Sequence, residues 1–180
     1  VGTVLGSLTS LEGKTLVEIS SGRGGALSYY SRYLNPKKCI GIDLSEAQVD
    51  FCNKTYAHDP KLVFYHGDAE NLSKVKQLKG ENIDMVINID SGHCYPNFKR
   101  FVQEVAKILA PGGLFLYSDF RPVEHWEETE RELATCFEIV RKENISKNAI
   151  HALKLDEARK RKMMQEKMGP ILSFYFSKVG

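Results

Sequence analysis

Short apolar runs recur along this chain, separated by stretches whose apolar positions follow a helical period. Five of the runs read as strands, at 15–20, 38–44, 62–67, 83–89 and 113–120. They are nearly continuous in apolar character, as strands buried on both faces are. Helical stretches lie between them at about 25–34, 45–56, 70–78 and 97–109. The fourth is the clearest. Phe98, Phe101, Val102, Val105, Ala106 and Leu109 share one face, and Lys99, Arg100, Glu104 and Lys107 lie opposite. Ala110-Pro111-Gly112-Gly113 then stops the helix, since proline cannot continue it and glycine suits the left-handed cap. Ser45-Glu46-Ala47-Gln48 has the form of a capping box opening the second helix. Alternating strands and helices predict an α/β fold with a mostly parallel sheet and helices on both faces. Residues 137–145 read as a sixth strand, and 171–178 alternate enough for a seventh.

In such sheets ligands bind beyond the carboxyl ends of the strands, where the strand order reverses. Polar residues follow each strand here. Glu18 closes the first apolar run, and Gly22, Gly24 and Gly25 follow within a few positions. Glycines permit positive φ and close approach of a ligand to the backbone. The helix behind them offers unpaired N–H groups. Asp43 lies nineteen residues past Gly24, placed for the hydroxyls of a ribose. Gly67, Asp68, Ala69 and Glu70 follow the third strand, Asn88 to Pro96 the fourth, and Ser118 to Arg121 the fifth. One acidic residue after a strand is usually only a helix cap; a succession at the ends of one sheet points to a nucleoside ligand.

The dinucleotide fingerprint requires a third glycine three positions after Gly24, where this chain has Leu27. Glu18 is also a poor neighbour for a pyrophosphate. A ligand with no phosphate but with a sulfonium and an ammonium tolerates it, and S-adenosylmethionine is such a ligand.

Composition adds limits. With 180 residues the chain is read as one domain over 1–180, its cofactor core at about 14–122 and a substrate-side part at 123–180. A net charge of +2 gives no argument for nucleic acid, and the basic residues at 154–162 are mixed with acidic ones, as on a solvated helix face. No apolar run has membrane-spanning length. Cys39, Cys52, Cys94 and Cys136 show no zinc-like spacing, so core thiols, no metal site and a reducing, cytoplasmic setting are expected. The chain opens on Val-Gly-Thr, and truncation at both ends is expected. Nothing in the sequence indicates an oligomeric state.

The series 17–25 (Val-Glu-Ile-Ser-Ser-Gly-Arg-Gly-Gly), Gly41-Ile42-Asp43-Leu44, 67–72 (Gly-Asp-Ala-Glu-Asn-Leu) and Leu109-Ala110-Pro111-Gly112-Gly113 resembles the class I S-adenosylmethionine-dependent methyltransferases, over roughly 14–122. Ser20 with Arg23-Gly24-Gly25, and Ser91-Gly92-His93-Cys94-Tyr95-Pro96, are similar to methyltransferases of phthiotriolone-type lipids and other small natural products. The resemblance implies a Rossmann-like fold. It implies that Glu18, Ser20, Gly22 and Gly24 hold the methionine part, Asp43 the ribose, and Asp68 with Ala69 the adenine. Leu44, Gln48, Gly67, Ile89 and Tyr95 complete the expected cofactor set. In that subfamily 171–178 resembles a helical stretch, with the final strand later. His93, on the loop after the fourth strand, is the candidate general base. Tyr95 and Trp126 are candidates for the acceptor wall, and Arg23 is read as structural. The expected reaction is O- or C-methylation of a small apolar or lipid-like acceptor. The alternatives are a non-catalytic cofactor-binding domain and a protein or nucleic-acid methyltransferase; against the latter, Asp90-Ser91-Gly92-His93 stands where an Asn/Asp-Pro-Pro-Tyr/Phe motif is common.

Overall fold

The computed structural model describes residues 10–176. Five strands, β1 (Thr15–Ile19), β2 (Lys38–Asp43), β3 (Leu62–His66), β4 (Ile83–Ile89) and β5 (Leu109–Ser118), form one sheet in the order β3-β2-β1-β4-β5. Every pair is parallel. The order reverses between β1 and β4, where Ile19 pairs with Asn88. Residues 15–20, 38–44, 62–67 and 83–89 were thus legible to within a residue at each end; β5 begins four residues earlier than the sequence suggests. Helices α1 (Gly25–Tyr33), α2 (Glu46–Thr55), α3 (Phe98–Ile108) and α4 (Trp126–Ala134) follow the same alternation. The stretch at 70–78 forms two 3-10 turns, Ala69–Lys74 and Lys76–Leu78, rather than an α-helix.

Strand periodicity sorts the core into two layers, because successive side chains face opposite ways. Val17, Ile19, Ile40, Ile42 and Val86 pack with Leu72, Phe101, Val102 and Val105 on the α3 side. Leu16, Cys39, Met85 and Ile87 pack with Leu27, Tyr30, Val49 and Cys52 on the α1–α2 side. Glu18 falls in the parity of Leu16, so it enters the second layer. The helix starts are fixed locally. Ser45 Oγ accepts the Gln48 amide hydrogen at 3.4 Å, one half of the capping box, and Asn97 Oδ1 accepts that of Arg100 at 2.9 Å.

Gly24 precedes α1 at φ 69°, and a Cβ there would lie 2.5 Å from Phe64 Cζ. Both terms oppose a side chain. Gly24→Ala is therefore expected to cost about 2 kcal/mol and lower Tm by roughly 4–8 °C in a melt followed by circular dichroism.

The chain divides into two compact units, Val1–Ile139 and Val140–Gly180. The sixth strand expected at 137–145 does not form; the segment has no regular structure. Phe137 turns inward, its ring 5.2 Å from that of Phe115, while Val140 and the run 141–144 stay exposed, so the alternation of a strand is not kept. The seventh strand is also replaced, since helix α5 (Ser146–Phe176) covers 171–176; positions 177 and 178 lie outside the described residues. The helical resemblance prevails there. Along α5 the Arg159–Asp156 and Arg161–Glu157 pairs sit one helical turn apart on an exposed surface. Two of the four cysteines also depart from expectation: Cys39 and Cys52 are buried, but Cys94 and Cys136 are exposed.

Candidate active site

The loops after β1, β2, β4 and β5 meet at the carboxyl edge of the sheet. Ser20 leaves β1 at φ 58°, a left-handed conformation uncommon for a residue with a Cβ, and Gly22 follows at φ 53°. Side chains of β2 and the β4 loop tie this turn down. Gly22 N–H donates to Asp43 Oδ2 at 2.7 Å, and the hydroxyls of Ser20 and Tyr95 lie 2.7 Å apart. Asp43 Oδ1 also accepts the Ser45 amide hydrogen at 2.9 Å, and its carbonyl accepts that of Gly67 at 3.0 Å. A carboxylate has about four lone-pair sites, so Asp43 retains capacity for a diol. Arg23 is structural, its guanidinium 4.1 Å above the Phe51 ring.

Glu18 is the electrostatic centre of the β1 side. It is buried, it receives the Leu27 amide hydrogen, and its Oε2 has no partner. Burial pushes its carboxyl up to about 8 from an ordinary 4.5, with the Leu27 bond opposing. An orphaned acceptor at the reversal of strand order is what a bound ammonium would satisfy. On this test the chain's residues fit an amino-acid-bearing nucleoside.

The other expected cofactor residues are arranged around the next loops. Asp68 caps a 3-10 turn, accepting from Glu70 N at 2.8 Å and Asn71 Nδ2 at 2.6 Å, with Ala69 buried beside it. Gln48 is half-buried on the first turn of α2, Leu44 is exposed at the end of β2, and Ile89 is half-buried at the end of β4.

On the β4–β5 side, His93 Nδ1 lies 2.7 Å from Asp119 Oδ1. The Asp119 carboxylate is fully buried and also accepts from Phe120 N at 3.0 Å, Tyr117 OH at 2.6 Å and Arg121 Nε at 3.0 Å. Surrounded by donors, it acts as acceptor, so His93 Nδ1 carries the proton and Nε2 is left as the basic nitrogen. The His93 side chain is 40% exposed, open to an incoming molecule. Asp90, His93 and Asp119 also bring one ligand atom each within 4.8 Å of one another, and Asp119 Oδ2 accepts from both Tyr117 and Arg121. Tyr117 is held above its ordinary range by burial and by donating to Asp119.

Tyr95 joins the two halves. Its hydroxyl accepts from Asn88 Nδ2 at 2.7 Å and lies 3.1 Å from Ser91 Oγ, besides its bond to Ser20. Trp126 opens α4, half-buried, directly after His125. Asn88, Ser91, Asp119 and Arg121 lie in the polar strand-end segments that the sequence marks, but it assigns none of them a role of its own. For Asp119 a signal existed: His93 follows β4, Asp119 follows β5, and successive parallel strands are commonly neighbours.

Fold and site together define a doubly wound α/β protein with polar loops gathered at its switch point. A family profile described as "Methyltransferase domain" matches residues 17–117. A phthiotriol/phenolphthiotriol dimycocerosates methyltransferase of Mycobacterium tuberculosis is 43% identical over 124 residues, 69% of this chain and 44% of that protein. A fatty-acid O-methyltransferase of Mycolicibacterium smegmatis is 40% identical over 124 residues, 69% of this chain and 43% of its own. The chain thus spans less than half the length of these relatives. A S-adenosylmethionine-dependent methyltransferase from Aquifex aeolicus superposes with a TM-score of 0.60 at 19% identity, covering 74% of this chain and 77% of the other, which speaks to fold alone. The chain belongs to the class I S-adenosylmethionine-dependent methyltransferases. Among the described residues no helix is long and apolar enough to cross a membrane.

Proposed function

We propose that this chain binds S-adenosylmethionine at the β1–β2 crevice and takes part in methylating a small, lipid-like acceptor on oxygen or carbon. The observation that supports the binding best is the buried, unpartnered Glu18 Oε2. Bound there, S-adenosylmethionine supplies a methyl group already activated by its sulfonium. Glu18 receives the ammonium, with Ser20, Gly22 and Gly24 shaping the turn around the methionine part. Asp43 accepts from the ribose hydroxyls; Asp68 and Ala69 border the adenine, and Leu44, Gln48, Gly67 and Ile89 wall the pocket. Tyr95 fixes the turn against the β4 loop, and Trp126 belongs to the acceptor side. His93 Nε2 takes the acceptor's proton, and Asp119 sets the tautomer and orientation of the ring. Since the class acts mainly by alignment and exclusion of water, the arrangement needs no further acid or metal. Lipid acceptors are named for both relatives, which favours a lipid-like one here. A cytoplasmic setting belongs to the same reading.

Isothermal titration with S-adenosylhomocysteine tests the binding step, and a turnover assay on lipid alcohols and acids tests the reaction. Binding without turnover on any acceptor would favour a non-catalytic cofactor-binding domain. Asp43→Ala is expected to weaken S-adenosylhomocysteine by about 1–3 kcal/mol, the cost of losing hydrogen bonds to a charged group. Unchanged affinity in the folded variant removes the ribose assignment.

A further inference from the structure

Between the start of α3 and the face of α4 lies a cleft of ≈310 Å³. Its cations are Lys99, on α3, and Arg121, and its acids are Glu128 and Glu132, on α4, with His125 at the start of that helix. Two of these side chains are incomplete. Arg121 spends Nε on Asp119 and Tyr117, at 3.0 and 3.2 Å, and its guanidinium carbon stands 4.7 Å above the Phe98 ring centroid. The plane is therefore fixed, yet Nη2 is buried and has no partner. Across the cleft, Glu132 Oε2 is likewise buried without a donor. Buried polar groups are nearly always bonded, and a guanidinium and a carboxylate are costly to leave unmet. Here they fail in complementary senses, one lacking an acceptor and the other a donor.

We propose that this cleft holds the polar end of the acceptor, and that this end is a carboxylate carrying a hydroxyl or ammonium close by. The carboxylate bonds Arg121 Nη2, and the donor bonds Glu132 Oε2. A phosphate fits less well, since its second negative charge would face Glu128 and Glu132. Arg121 reaches His93 through one shared carboxylate, because Asp119 receives Arg121 on Oδ2 and His93 on Oδ1. The anchor for the acceptor and the base for its proton are thus fastened to the same group. Phe120 and Val123, on either side of Arg121–Pro122, are 83% and 84% exposed and supply apolar surface for the remainder of such a molecule. The inference rests on the proposed methyl transfer for the word acceptor, but the site itself is defined without it.

The single tryptophan, Trp126, follows His125 of the cleft, so its fluorescence reports binding there. The protein is titrated with octanoate, 3-hydroxyoctanoate, 3-aminooctanoate and octan-1-ol at pH 7, with S-adenosylhomocysteine titrated in parallel. Octanoate should bind at least about tenfold more tightly than octan-1-ol, and one donor-bearing acid about tenfold more tightly than octanoate, the usual worth of a hydrogen bond to a charged group. Arg121→Lys should remove the advantage of the acids over the alcohol. Glu132→Gln, which leaves Asp119 and its partners untouched, should abolish the advantage of the donor-bearing acid while S-adenosylhomocysteine binds as before. Equal affinity for all four probes, no binding by any, or a Glu132→Gln profile identical to the parent overturns the proposal. If S-adenosylhomocysteine binds and the acids do not, only the cleft assignment falls; if the acids bind and S-adenosylhomocysteine does not, the cofactor reading falls and the cleft stands.

Discussion

His93→Ala is expected to lower turnover by roughly 10²-fold or more, the range in which loss of a positioned general base falls, with S-adenosylhomocysteine affinity nearly unchanged. Two features of the structure separate these readouts. His93 bonds Asp119 on the β4–β5 side, whereas Glu18 and Asp43, the proposed cofactor contacts, lie in β1 and β2. Removing the imidazole therefore leaves the crevice intact. Asp119→Asn is the sharper companion. An asparagine keeps the size, but its amide nitrogen in place of Oδ1 would donate to His93 Nδ1 and force the proton onto Nε2, the nitrogen that must be free. Turnover should then fall by about tenfold or more, and its pH profile should change, which loss of packing alone would not produce. Full turnover in folded His93→Ala would reduce His93 to a loop residue held by Asp119.

How far the sequence carried this picture depends on what each residue's role is encoded by. Strands, glycine turn and acidic strand ends were legible because each is set locally. An apolar run fixes β1, positive φ needs Gly22 and Gly24, and the length of one strand and helix fixes the step from Gly24 to Asp43. The pairing of His93 with Asp119 was legible only as far as both follow neighbouring strands, because the two lie twenty-six residues apart and meet only through the pairing of β4 with β5. Glu132 gave no signal at all, since nothing in a run of helical glutamates marks the one whose oxygen is buried. The expected sixth strand failed for a physical reason: Phe137 supplied one inward residue, but Val140 is 78% exposed and 141–144 are polar, so the alternation ends after a single contact. The spacing at 70–78 predicts one α-helix, but Asn71, at φ −141°, leaves the helical conformation and only 3-10 turns form.

Cofactor affinity should rise roughly 50-fold from pH 6 to pH 8, under the limit of tenfold per unit for one proton released, and level off about a unit higher. In the free protein Glu18 is held protonated up to about 8 by burial, with the Leu27 amide opposing. An ammonium brought to Oε2 favours the ionised form, so binding expels a proton wherever the free carboxyl still carries one. Well above 8 no proton remains to be lost. Titrations of S-adenosylhomocysteine in buffers of different ionisation enthalpy count that proton directly. The same group acts on the ligand-free fold in the opposite direction. Its folded value lies above the unfolded 4.5, so its contribution to stability is complete below pH 4.5 and is lost as pH rises through about 8. Tm of the ligand-free protein should therefore decline across that window while ligand affinity climbs. Glu18→Gln keeps the shape and removes both slopes, leaving weak, pH-independent binding. A variant that retained the pH dependence of binding would place the titrating group elsewhere and take the ammonium contact away from Glu18.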